Sequence, residues 1–368
     1  MDAAALGWLA LKGVGVAAVP LAYVALSRDP AKYRKLAWVT AFLTLDLIMF
    51  GSFTRLTDSG LGCPDWPGCY GHSNPLSAGE SIRAAETAQP TGPVTMTKAW
   101  IEMLHRYFAM GIGLLIIILT IQAWRRQRFD RDAPSPWLAT AALLWVCVQG
   151  AFGAFTVTMK LQPVVVTAHL LGGMMLLALL TLLALREGPP PPVVPRAARL
   201  APLALAALGV VALQIALGGW VSSNYAVLAC PDLPKCQGAW LPPMDFVHGY
   251  TLWRPLGMTG DGAMIPFQSL VAIHFTHRVF AVFVLMLLAG FVAAAWRVPG
   301  LGPVSRGLLA ALLLQLATGL SNVVLNWPLA SAVLHSGGAA LLVVLLVVAV
   351  DRTRAGGKIA GSSQSHRN

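Results

Sequence analysis

At 368 residues, with 57% hydrophobic and only 11% charged side chains, the chain falls far below the roughly 25% charged residues of ordinary water-soluble domains. That excludes a soluble globular fold and makes it an integral membrane protein. The net charge of +11 is no argument for nucleic acid, because the basic residues gather at the ends of apolar segments, where they orient a chain against anionic lipid.

Apolar stretches of about 20 residues, enough to cross a bilayer, run over 5–26, 36–56, 99–122, 136–158, 164–185, 200–223, 269–296, 307–326 and 329–350. The first shares only its position with a signal peptide. It has no basic leading region, holds Asp2 and Lys12, and closes on VALSRDP without a small-x-small cleavage site, so it is expected to stay as a helix. With the N-terminus outside, 17 of the 26 Lys and Arg fall on inner segments and 8 on outer segments or the helix ends facing them, which predicts an N-out, C-in chain. Two outer loops, about 57–98 and 224–268, are long and rich in Pro, Gly and polar residues.

The sequence repeats itself. CPDWPGC (63–69) returns as CPDLPKC (230–236), an offset of 167, and QGAFGAFTVTMKLQPVVVTAH (149–169) is echoed at an offset of 166 by QLATGLSNVVLNWPLASAVLH (315–335). WIEMLHRYFAM is echoed by AIHFTHRVFAV, which aligns His105-Arg106 with His277-Arg278 at an offset of 172. Both halves have the same polarity in the membrane, so the repeat is parallel, as in some transporters. The expected fold is an all-α polytopic membrane protein: two pseudo-symmetric four-helix transmembrane bundles, eight core helices, plus an extra N-terminal helix. Residues 1–35 would form that helix and a basic inner loop, 36–190 the first bundle, 191–352 the second, and 353–368 a disordered cytoplasmic tail.

In each half the second core helix carries His-Arg near its outer end and the fourth carries a lone His, so that His105, His169, His277 and His335 share one depth. Ionisable residues inside spans are costly and point to function. A single one is as readily a neutral His bonded to a neighbouring helix; four at matched depth, two per bundle on different helices, read as two bis-His sites for haem iron. Gly172-Gly173 and Gly337-Gly338 follow the lone histidines and leave room for a flat macrocycle or for close helix packing. Arg106 and Arg278, together with Arg55, are the candidate contacts to haem propionates; the competing reading is an arginine reaching out to lipid headgroups.

The halves differ three residues before each His-Arg pair, where Glu102 stands in the first and His274 in the second, on the same helix face as the histidine that follows. A carboxylate beside a haem edge can move protons or stabilise a cationic intermediate, so the first half reads as catalytic and the second as an electron-transfer half with His274 at the haem edge. The alternative is a Glu102 simply paired with a nearby cation. Cys63 and Cys69, and Cys230 and Cys236, lie in loops facing an oxidising compartment and read as two disulfides; a four-thiolate metal site is the competitor, with the wrong spacing. Cys147, alone in a helix, reads as a small core residue. His72, His248 and His366 are given no role.

Taken together, FGSFTRLTDSGLGCPDWPGC, EMLHR, TAHLLGG, HFTHR and LHSGG resemble haem A synthase, the eight-helix enzyme of terminal-oxidase assembly, over about residues 36–350. The two cysteine pairs resemble its bacterial form with cysteines in both outer loops. The resemblance implies oxidation of the C8 methyl of haem O to a formyl group by successive hydroxylations, giving haem A for cytochrome c oxidase. It implies that His105 and His169 flank the substrate haem O with Glu102 as the essential acid residue, and that His277 and His335 ligate the iron of a haem b cofactor. Haem O synthase, cytochrome c oxidase assembly factors and lipid are the implied partners, with no nucleic acid, and a homo-oligomer is compatible. The implied location is the bacterial inner membrane, with the cysteine loops periplasmic and the C-terminus cytoplasmic. The extra N-terminal segment departs from the eight-helix pattern. Apart from the resemblance, two other classes fit: a bis-His dihaem b-type cytochrome in quinol electron transfer, against which the Glu102/His274 asymmetry stands, and a carrier that releases its haem unchanged.

Overall fold

A computed structural model describes residues 3–190 and 194–355. In chain order the helices are α1 (Ala3–Leu26), α2 (Lys32–Leu56), α3 (Gly79–Ala88), α4 (Met96–Phe129), α5 (Trp137–Thr158), α6 (Pro163–Arg186), α7 (Pro195–Ala198), α8 (Ala201–Ser223), α9 (Phe246–Gly249), α10 (Phe267–Ala295), α11 (Gly302–Val324) and α12 (Leu329–Ala355). Among the described residues nine of them are long and apolar enough to cross a membrane, α3, α7 and α9 being the exceptions. These nine match the expected spans in order, and the all-α polytopic fold class holds. The helix α12 runs through the first residues assigned to the tail, and 356–368, with His366, lie outside the described residues.

Two compact units divide the chain. The first comprises Met1–Leu180 with Leu252–Ala263, the second Thr181–Thr251 with the chain from Met264 onward. Within the first, α4 packs on α2 and α5, and α1 lies along α4 and α2. Small residues allow that approach, as is usual where lipid gives no hydrophobic drive between helices: a Cβ on Gly13 would touch Met110, and one on Gly111 would press into Val16. The Trp145 indole N–H donates to the Gly172 carbonyl at 2.8 Å, joining α5 to α6, and Gly173 faces Ile48, joining α6 back to α2. Within the second unit α8 packs on α10 and α12, and α11 on α10 and α12. Each unit therefore contains a ring of four helices.

The spans are apolar around most of their circumference, and large side chains such as Phe42, Leu144, Leu213, Val279 and Leu313 stay exposed, as lipid permits and water would not. Several of their hydroxyls bond back into the same helix: Thr40 to the Leu36 carbonyl, Thr44 to Thr40, and Thr318 to Leu314. The duplication extends to the helix ends. After α5, Lys160 and Leu161 take φ of 51° and 58°, and after α11, Asn326 and Trp327 take 54° and 64°. In both cases a backbone N–H reaches back five residues, Leu161 to Thr156 and Trp327 to Asn322, closing the last turn through left-handed residues. Cys147 departs from expectation: it is exposed, because a membrane span has a lipid-facing side on which a small apolar residue is as stable as in the core.

Candidate functional site

Each candidate histidine faces a glycine of the span before it. A methyl group built on Gly51 of α2 would come within 3.0 Å of Cε1 of His105 on α4, and one on Gly153 of α5 within 3.6 Å of Cε1 of His169 on α6. In the second unit the distances are 3.0 Å from Gly218 of α8 to His277 on α10, and 3.3 Å from Gly319 of α11 to His335 on α12. A methyl at Gly51, Gly218 or Gly319 would crowd the imidazole, whereas one at Gly153 would lie in ordinary contact with it. The rings are half-buried, and His105 stands within electrostatic reach of His169, as His277 does of His335. Nδ1 of His105 and Nδ1 of His169 are buried and have no hydrogen-bond partner.

The structure thus brings the four histidines together as two pairs, one in each unit. Paired imidazoles across a helical bundle are a donor set that would hold haem iron, which would supply redox chemistry there. Among the described residues no three His, Cys, Asp or Glu gather as a protein-only metal site. Close packing accounts for two of the glycines that follow the lone histidines. Gly172 lies under the side chain of Gln149 and Gly338 under that of Gln315, and Gln315 donates to the His335 carbonyl at 2.7 Å. Gln149 and Gln315, which the two echoed segments share, thus each lie over the glycine three residues after the lone histidine.

At one end of each pair stands a cysteine loop, and both disulfides are formed, Cys63–Cys69 and Cys230–Cys236, which removes the four-thiolate alternative. Each loop closes as a tight hairpin with two left-handed residues, Tyr70-Gly71 and Gln237-Gly238. The aspartate of the CPD motif caps it. Asp65 accepts from the Tyr70 and Gly71 amides at 2.6 and 2.8 Å, and Asp232 from the Gln237 and Gly238 amides at 2.8 and 2.9 Å. The Gly238 amide, first among these bonds, holds the Asp232 carboxyl below its ordinary range.

The two arginines beside the histidines meet these loops. Arg106 donates to the carbonyls of Asp65, at 2.9 Å, and Gly68. Arg278 donates to those of Asp232, at 2.8 Å, Lys235 and Cys230. Arg55 pairs with Asp58 at 3.3 Å. Glu102, 4% exposed, is ion-paired with Arg106 one turn on and accepts the Cys63 amide at 2.8 Å. At the equivalent place His274 accepts from Arg278 through Nε2 at 3.2 Å. The asymmetry read in the sequence is thus one between a charged and a neutral support for the same arginine. Lys12 of α1 bonds the Ser73 hydroxyl and carbonyl at 3.1 and 3.2 Å, and the Tyr107 hydroxyl donates to the same carbonyl, so the added helix steadies the first loop.

Comparison with known proteins bears on what this arrangement serves. A family model described as cytochrome oxidase assembly protein, COX15-CtaA, matches residues 34–347. Curated proteins named heme A synthase are similar over most of the chain. That of Shewanella oneidensis is 41% identical over 318 residues, 85% of this chain and 95% of its own. That of Rhodospirillum centenum is 30% identical, covering 84% and 85%, and that of Halalkalibacterium halodurans is 29% identical, covering 79% and 86%.

Proposed function

The chain belongs to the COX15-CtaA family of cytochrome oxidase assembly proteins, and from that premise we propose that it is a haem A synthase, oxidising a methyl group of haem O to the formyl group of haem A. The observation that carries the reading is the two histidine pairs, each ring set over a glycine of the preceding span, in a chain whose relatives are named heme A synthase. His105 and His169 hold the substrate haem O, and His277 and His335 hold a haem b cofactor. The bound haems supply iron redox chemistry. The protein supplies ligation, orientation and a fixed charge.

Glu102 provides that charge. Its carboxylate is aimed by Arg106 and by the Cys63 amide, and it sits three residues from His105 on the same helix face. Charge-assisted bonds of this kind keep a carboxylate in one orientation, so Glu102 acts from a set position as a proton acceptor or as a stabiliser of positive charge on the substrate. Arg55, Arg106 and Arg278 are the cations assigned to the haem propionates, and His274 the residue at the haem b edge. The cysteine loops are periplasmic and the C-terminus cytoplasmic in a bacterial inner membrane. Haem O synthase supplies the substrate, and cytochrome c oxidase assembly factors receive the product.

The test is extraction and chromatography of the haems bound to the purified full chain, made in cells with and without a haem O-forming enzyme. Haem A or a hydroxylated intermediate that appears only when haem O is supplied supports the synthase. Haem b alone under both conditions replaces it with a dihaem electron-transfer cytochrome.

A further inference from the structure

The two histidine pairs differ in what lies behind the rings. Nδ1 of His335 is 2.9 Å from the Thr318 hydroxyl oxygen. That hydroxyl has one proton, and it goes to the Leu314 carbonyl at 2.7 Å, so the oxygen turns a lone pair toward the ring and accepts Nδ1–H. The ring is thereby fixed in the tautomer whose Nε2 carries a free lone pair, the form in which imidazole binds a metal through that atom. Nδ1 of His277 lies 3.1 Å from the side-chain amide of Gln214. It is the amide nitrogen that faces the ring, and it also donates to the His277 carbonyl at 3.2 Å; the Gln214 Oε1 is buried without a partner, and half a turn of the amide, which gives up the bond to that carbonyl, brings it to the place where a ligating His277 needs an acceptor.

Neither arrangement exists in the first unit. Gly153 and Gly319, like His169 and His335, are related by the offset of 166, so the residue in the place of Thr318 is Phe152. Gly51 and Gly218 are related by the offset of 167, as Cys63 and Cys230 are, so the residue in the place of Gln214 is Leu47. With Phe152 and Leu47 there, Nδ1 of both His105 and His169 is left buried and unpartnered.

A metal-binding histidine ordinarily donates its second ring N–H to an acceptor that sets the ring's orientation and raises its basicity, and loss of that acceptor weakens metal binding by about 10–100-fold. We infer that Thr318 and Gln214 are positioning residues that make His277 and His335 retaining ligands, and that Phe152 and Leu47 in their places make His105 and His169 releasing ligands. This rests on the two-haem reading above and deepens it. A cofactor must stay through many turnovers, whereas a substrate bound by the same kind of ligand pair must leave as product. The difference between the two tasks lies in one hydroxyl and one amide behind otherwise equivalent rings.

The experiment uses the full chain in detergent, loaded with protohaem, and follows transfer of haem to excess apomyoglobin. Two phases are expected in the wild type, a fast one from the first unit and a slow one from the second. Thr318→Val should speed the slow phase by about 10–100-fold and raise the midpoint potential of that haem, since a less basic ligand stabilises ferric iron less; Thr318→Ser should restore both. Gln214→Leu should act in the same direction. Phe152→Thr should slow the fast phase. A slow phase and a potential unchanged in both Thr318→Val and Gln214→Leu would overturn the inference while leaving two haem sites in place. A wild-type chain that takes up no haem would overturn the two-haem reading itself, and the inference with it.

Discussion

The glycines under the histidines make the sharpest test of the site. In Gly218→Ala the new methyl would lie 3.0 Å from Cε1 of His277, 3.6 Å from Nδ1 and 3.7 Å from Nε2. Carbon atoms rest at about 3.5–4.0 Å, so the ring or the helix must yield by about 0.5 Å. Metal–ligand distances are held to about 0.2 Å, and overpacking of a well-filled site costs about 1–3 kcal/mol, which is about 5- to 150-fold in haem affinity if all of it falls on the loaded site. Gly51→Ala puts its methyl at the same 3.0 Å from His105 and should do the same to the first unit. Gly209→Ala is the control. It lies on the same helix as Gly218 with nothing within 4 Å, and alanine there should favour the helix by about 0.5–1 kcal/mol. The assay is haem content and reduced-minus-oxidised absorbance of purified variants, read beside thermal unfolding. Wild-type haem content and spectra in Gly218→Ala would refute the assignment of His277 as a ligand held by contact with that glycine.

Arg106→Ala should destabilise the protein more than Arg278→Ala, because it strands a buried Glu102 carboxylate, at about 3–5 kcal/mol, whereas Arg278→Ala leaves only loop carbonyls and His274 without their donor; unfolding of the two variants in one detergent compares them, and equal losses would contradict the ion pair's weight. Glu102→Gln should retain haem b and bind haem O but yield no formyl product, and wild-type product levels would end the catalytic role. His335→Ala should lose the haem b absorbance. The Asp232 carboxyl is held below its unfolded-state value of 3.8 by the Gly238 amide, so the support it gives the second loop is complete above that pH and fades as the pH falls through the lower, folded value. Hydrogen exchange at Gly238 should accelerate in that acid window, and Asp232→Asn should remove the pH dependence.

The nine spans are legible because hydropathy alone sets them, and the histidine pairs because four ionisable groups at one depth have few structural explanations. The glycine partners are harder to see, although the echo of 149–169 in 315–335 contains two of them, Gly153 and Gly319, and the CPD offset of 167 also relates Gly51 to Gly218. Small residues beside a histidine in sequence draw attention away from small residues beside it in space. Gly172 and Gly338, read from the sequence as room for a macrocycle or for close helix packing, lie against glutamines. That each cysteine loop turns back and presents its carbonyls to the arginine beside the histidine is not legible in the sequence. Thr318 and Gln214 give no signal of their own, since a hydroxyl or amide in a span usually bonds its own helix. Only the ring beside each of them gives it another use.

Because each site is shared between helices far apart in the chain, its assembly follows the order of synthesis. His105 waits for His169 on α6, and His277 waits for His335 on α12. A nascent chain therefore completes its first pair well before its second, and with the retaining and releasing ligands inferred for the two units, the early site is the one that lets go. Any haem caught during insertion can still depart, while the site that keeps its haem cannot close until α12, the last of the described spans, is in the membrane.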